Sequence, residues 1–189
     1  MKINKIKSFC KRANTVYLYE TEQGRQWLSD GAGFWPVDES MHLNMDAIKA
    51  LFEIAGKAWN ESWVHEYIPL FKKPGFEPLN GKLPFHLLDE VWEPSAEVQM
   101  EPVDGSVIYN GKVFRAFEAD DGLRIYVPEE HLKTINEDAV YYMMRQAEGA
   151  RLLAVYDSML ICGLVAIMSA ERAKRINEAA AKVIGGRYE

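Results

Sequence analysis

The chain has 189 residues, is 48% hydrophobic and 12% aromatic, and carries a formal net charge of −6. This length and apolar content suit one domain with a sizeable core, and no run of about eighteen apolar residues is present to form a membrane-spanning helix. Cys10 and Cys162 are too few and too far apart for a disulfide framework, and His42, His65, His86 and His131 show no metal-ligand spacing, so neither a metal nor a cofactor is expected.

The chain opens on MKINKIKSFCKR, which carries Lys2, Lys5, Lys7, Lys11 and Arg12 and no acid. It has neither an apolar h-region nor a small-residue cleavage site, so no secretory signal is read and a cytoplasmic location is expected. Residues 1–14 form a basic segment ahead of the domain. From Thr15 the runs TVYLYE, RQWLS and FWPV alternate with turns at TEQG and DGAG, the pattern of an antiparallel meander. Beyond Pro36, Asn44 is a candidate N-cap for a helix over 45–58, with Ile48, Leu51, Phe52 and Ala55 on one face. ESWVHEYIP then reads as a strand.

Residues 69–104 differ in kind. They hold Pro69, Pro74, Pro78, Pro84, Pro94 and Pro102 of the eight prolines, and a long irregular connection is expected, with one helical turn at FHLLDEVW. Between 77 and 104, Glu77, Asp89, Glu90, Glu93, Glu97, Glu101 and Asp104 face Lys82 alone, an imbalance equal to the −6 of the whole chain. Such a run serves solubility or marks an interaction surface.

After the connection the first pattern returns. SVIY, the hairpin signal NG, KVFRAFEA, the turn DDG and LRIYV rebuild a meander. Pro128 is read at position N1 of a short helix over 128–138, and the strands AVYYMMRQ, RLLAVYD and MLICGLVAIM follow. Ser169 caps a C-terminal amphipathic helix over 169–189. The expected fold class is α+β: one domain over 15–168, with halves 15–68 and 105–168 of antiparallel strands and one helix each.

The order strand, helix and three strands in RIYVPEEHLKTINEDAVYYMMRQAEGARLLAVYDSMLICGLVAIMS resembles half of a DNA sliding-clamp domain, over residues 106–168 and, in outline, 15–68. The family's closing xxMP is here VAIMSA, without the proline. VYLYETEQGRQWLSDGAGFWPVD followed by LFEI also resembles short accessory proteins of phages and prophages of Gram-positive bacteria, which implies a mobile-element protein in a bacterial host cell. A clamp lines its pore with cations, because each neutralised phosphate releases counterions. The helix at 128–138 instead sets Lys133 against Glu129, Glu130, Glu137 and Asp138, so the resemblance is carried over for the fold and not for DNA encirclement.

No nucleophile elbow, Walker loop, HExxH or Rossmann fingerprint appears, and Asp120 and Asp121 in ADDGL are what a turn demands. No enzyme is expected. Trp27, Phe34, Trp35, Trp59, Trp63, Tyr141 and Tyr142 suit a core better than a base-stacking platform, because few cations lie beside them. The expected partner is a host protein, a CRISPR-associated guide-RNA nuclease among the candidates, whose cationic channel would meet Asp89, Glu90, Glu93, Glu97, Glu101 and Asp104. Lys2, Lys5, Lys7, Lys11 and Arg12 are candidates for contact with phosphate or an acidic partner, and DNA binding elsewhere is expected to be weak or absent. The alternative is a replication accessory module with a clamp-like peptide- or DNA-binding surface. A homo-dimer through meander edges is left open.

Overall fold

Apolar side chains on alternating positions drive the first three strands together. The computed structural model describes residues 3–21, 23–52, 64–67, 88, 97–135, 140–147, 150–158 and 160–185. In it β1 (Val16–Glu20), β2 (Gln26–Ser29) and β3 (Gly33–Pro36) form the expected antiparallel meander. Helix α2 (Met45–Leu51) follows, with Asn44 in extended conformation accepting the Ala47 amide at 2.8 Å, the cap its sequence announced. β4 (Val64–Tyr67) then pairs with β1 in parallel, which corrects the expectation of antiparallel strands throughout. The connection explains it: β3, α2 and β4 make a strand–helix–strand crossover, which returns the chain in the same direction.

The second half begins earlier than expected. β5 (Glu97–Tyr109) starts inside the acidic connection and pairs with both β6 (Lys112–Glu118) and β8 (Val140–Ala147). Its pairing is interrupted between Pro102 and Ser106, where Gly105 has φ +124°, a conformation side chains disfavour. The Asn110–Gly111 turn after it has positive φ at both residues, the geometry that suits the twist of a two-residue hairpin. β7 (Arg124–Pro128), α3 (Glu129–Leu132), β9 (Ala150–Asp157), β10 (Leu160–Ala166), β11 (Met168–Ser169) and α4 (Ala170–Gly185) complete the described elements. Pro128 ends β7 and occupies the N-cap of α3 rather than N1, because its extended ψ of 113° still belongs to the strand.

All the described strands join one eleven-stranded sheet in the order β11-β7-β6-β5-β8-β9-β10-β3-β2-β1-β4. The α+β class is therefore as expected. Bent at β5, the sheet brings Phe117, Ile125 and Val127 of β6 and β7 into one core with Met144, Leu153, Val155 and Val165 of β8 to β10. On the first half, Val16 and Leu18 face a core with Ile6 and Phe9 of α1 (Ile3–Ala13), Ile48 of α2 and Phe52 at the C-cap of α2. Tyr19, Trp27 and Phe34 share the opposite core with Leu152, Leu164 and Leu88. Leu88, the described residue of the expected helical turn, is fully buried, so the connection is anchored at that point.

Candidate functional site

The basic N-terminus is a helix, α1 (Ile3–Ala13), where the sequence reading gave only a basic segment with no element assigned. Ile6, Phe9 and Cys10, spaced i, i+3 and i+4, are its buried face. This placement turns two of the candidate phosphate contacts toward the chain itself. The Arg12 guanidinium lies 2.8 Å from Glu130, and Lys5 donates to the Lys133 carbonyl at 3.3 Å. Lys7 also has a partner within the protein, Lys11 is exposed, and Lys2 lies outside the described residues.

The receiving element is α3, whose acids are matched one by one. Glu130 takes Arg12 and also Lys112, at 3.1 Å, and Glu129 takes Lys133 at 3.3 Å. Burial alone would raise the Glu130 carboxyl, but the hydrogen bonds and charges of Arg12 and Lys112 outweigh it and hold the group below its usual value. The third residue, His131, is buried and stacks on Phe9 of α1 at 4.6 Å between ring centres. Its Nε2 is 2.9 Å from Asp30 Oδ2 in the β2–β3 turn. The Ala32 and Gly33 amides donate to the other Asp30 oxygen at 3.0 and 2.8 Å, and Trp35 Nε1 donates to Thr134 Oγ1 at 2.7 Å.

This Asp30–His131 pair joins both halves and α1, and sequence reasoning missed it because its members lie 101 residues apart. Burial pushes the Asp30 carboxyl up, yet the hydrogen bond and charge of His131 and the two amides win, leaving it below the ordinary carboxylate value. Cys10 packs nearby with its thiol 3.9 Å from the Ser29 carbonyl, and burial, then Asp30, pushes that thiol up, so it stays protonated. The residue types of a nucleophilic triad gather here, but the His131 and Asp30 side chains are only 2% and 7% exposed. The pair pins three elements together.

The candidate acidic face divides in two. Glu97 is drawn inward: the fully buried Arg145 donates to it through Nε at 2.7 Å, and Tyr156 donates its hydroxyl at 2.6 Å. Arg145 also donates to that hydroxyl at 2.6 Å, and burial, then the bond to Glu97, pushes the Tyr156 phenol up. Glu97 is thus a structural carboxylate. Glu101 and Asp104 are exposed on β5, and Glu101 stands directly across from Glu118 in the sheet. Arg124 pairs with Glu118 at 2.6 Å from the far side, while Glu101 receives only the neutral Gln99 amide at 2.9 Å among the described bonds. Asp120 and Asp121 extend the exposed acids into the β6–β7 turn, where Asp121 accepts the Leu123 amide at 2.9 Å, the turn role read from sequence. Asp89, Glu90 and Glu93 lie outside the described residues.

The aromatics are mostly core. Trp27, Phe34 and Trp35 are buried, Tyr142 packs edge-on against Phe117, and Tyr141 alone among the described candidates is exposed, stacked on Tyr156. Trp59 and Trp63 lie outside the described residues. Among the described residues no helix is long and apolar enough to cross a membrane. Comparison of the chain with known protein families, curated proteins and solved structures finds no match.

Proposed function

We propose that the protein is a non-catalytic, cytoplasmic binding protein of a phage or mobile element that inhibits a host nucleic-acid enzyme. Its partner is a guide-RNA nuclease of the CRISPR type, and its contact is the exposed acidic side of β5 and the β6–β7 turn. One observation carries this reading. Arg12 and Lys5 of α1 and Lys112 of β6 are engaged with the chain's own Glu130 and Lys133, whereas Glu101, Asp104, Asp120 and Asp121 stand in solvent, with Glu101 facing a second carboxylate across the sheet. Like charges held opposite one another cost stability, and an incoming row of Lys and Arg would relieve that cost. A nuclease channel built for a phosphate backbone supplies such a row.

The clamp-like plan belongs to the same proposal. It is supported by the strand order, in which β4, β1, β2 and β3 are contiguous and the strands of the second half are contiguous beyond them. The test uses purified effector, guide and target DNA with a stoichiometric excess of the protein. Target cleavage is expected to fall, and Glu101→Lys with Asp104→Lys is expected to restore it and to remove the salt dependence of inhibition. Cleavage that is never inhibited, or inhibition untouched by the reversal, overturns the reading.

A further inference from the structure

Among the described residues, four arginines face carboxylates: Arg12 meets Glu130, Arg124 meets Glu118, Arg145 meets Glu97 and Arg175 meets Glu171. Arg151 and Arg172 do not follow that pattern. They line one cleft of about 340 Å³ with Gln146 and Ser169, and among the described residues no carboxylate lines it. Arg151 sits directly across from Gln146 in the β8–β9 hairpin, so the two side chains share a face of the sheet. Arg172 comes from α4, its guanidinium 5.8 Å above the Tyr109 ring. Stacking of that kind uses the flat face of a guanidinium and leaves its in-plane donors available.

We infer that this cleft, between the β8–β9 hairpin and the start of α4, binds the phosphate group of a small phosphomonoester through Arg151 and Arg172, with Gln146 and the Ser169 hydroxyl as neutral donors. Two guanidinium forks from different elements match the several oxygens of a dianion, and the volume is at the lower end of small-molecule sites. Ser169 Oγ accepts the Arg172 amide at 3.3 Å, which ties the backbone of the second arginine to another residue lining the cleft. A nucleic-acid strand is a poorer fit. Its diesters carry one charge each and need a line of cations, whereas the next cations along α4, Lys174 and Arg175, already face Glu178 and Glu171.

The experiment is an NMR titration of the full chain with inorganic phosphate and, separately, with a nucleoside 5′-monophosphate, at ionic strength held constant with chloride. Saturable shifts are expected at the Gln146, Arg151, Ser169 and Arg172 amides. Arg151→Gln and Arg172→Gln should each weaken binding by about tenfold, the loss of one charge-assisted pair, while Arg175→Gln leaves it unchanged. Tighter binding of the monophosphate supports an organic ester as the source, and equal binding supports free phosphate. A linear, unsaturable response to both anions, undiminished binding in the Arg151→Gln, Arg172→Gln double variant, or equal competition by duplex DNA overturns the assignment.

Discussion

The α1–α3 junction and the β5–β6 hairpin both carry several carboxylates, and they treat them in opposite ways. At the junction every described acid meets a cation or a buried imidazole: Asp30 with His131, Glu130 with Arg12 and Lys112, Glu129 with Lys133. Along β5 only Glu97 is matched, and Glu101 and Asp104 face solvent. Sequence proximity does not decide which fate a charge meets, and burial makes pairing obligatory only for Asp30 and the inward-drawn Glu97. Charged groups in the interior must be paired, and those on a rim need not be.

The sharpest way to break this contrast is at the inward end of β5. Arg145→Ala leaves Glu97 and the Tyr156 hydroxyl without their cation in a buried position, and should lower unfolding free energy by about 3–5 kcal/mol in a urea titration. Near-wild-type stability would mean that the network is not a support of the sheet. Asp30→Asn should cost about 2 kcal/mol at neutral pH, since it removes charge-assisted bonds from His131 and two amides. Its pH profile is a stricter test. The folded Asp30 carboxyl titrates below its unfolded value of 3.8, so its contribution is present above that value and is lost as pH falls through the folded one. The acid side of the stability curve should therefore be shallower in the variant than in the wild type.

Gly33→Ala probes the same junction by volume. A methyl there would lie 2.6 Å from His131 Cδ2 and 2.7 Å from Trp35 Cζ2, both in packed rings, and should cost about 1–3 kcal/mol. The outward end of β5 should respond with the reverse sign: Glu101→Gln removes the repulsion from Glu118 and should raise stability by a few tenths of a kcal/mol, or roughly 0.5. A loss of stability would show that Glu101 is held by a partner and is not a free acid.

How much of this was legible follows the range of the interactions. Elements set by local pattern were readable: the meander of β1 to β3, the Asn44 cap of α2, the Asn110–Gly111 hairpin and the Ser169 cap of α4. α1 was hidden because Ile6, Phe9 and Cys10 are too few to stand out among its four cations, though their i, i+3, i+4 spacing was the available signal. The extension of β5 back to Glu97 was hidden by Pro102, whose presence argued for loop. The Asp30–His131 and Glu97–Arg145 pairs join residues 101 and 48 apart, and no local pattern registers such a pairing. For that reason Glu97 was counted with the acidic face, when it belongs to the interior.

The account turns on cations folded inward and acids left outside, and duplex affinity reports on that arrangement directly. Fluorescence anisotropy of a labelled DNA duplex with the full chain, at about 150 mM monovalent salt, is predicted to show no saturable binding, because too few free cations remain to release counterions. Tight, saturable binding at that ionic strength would contradict it.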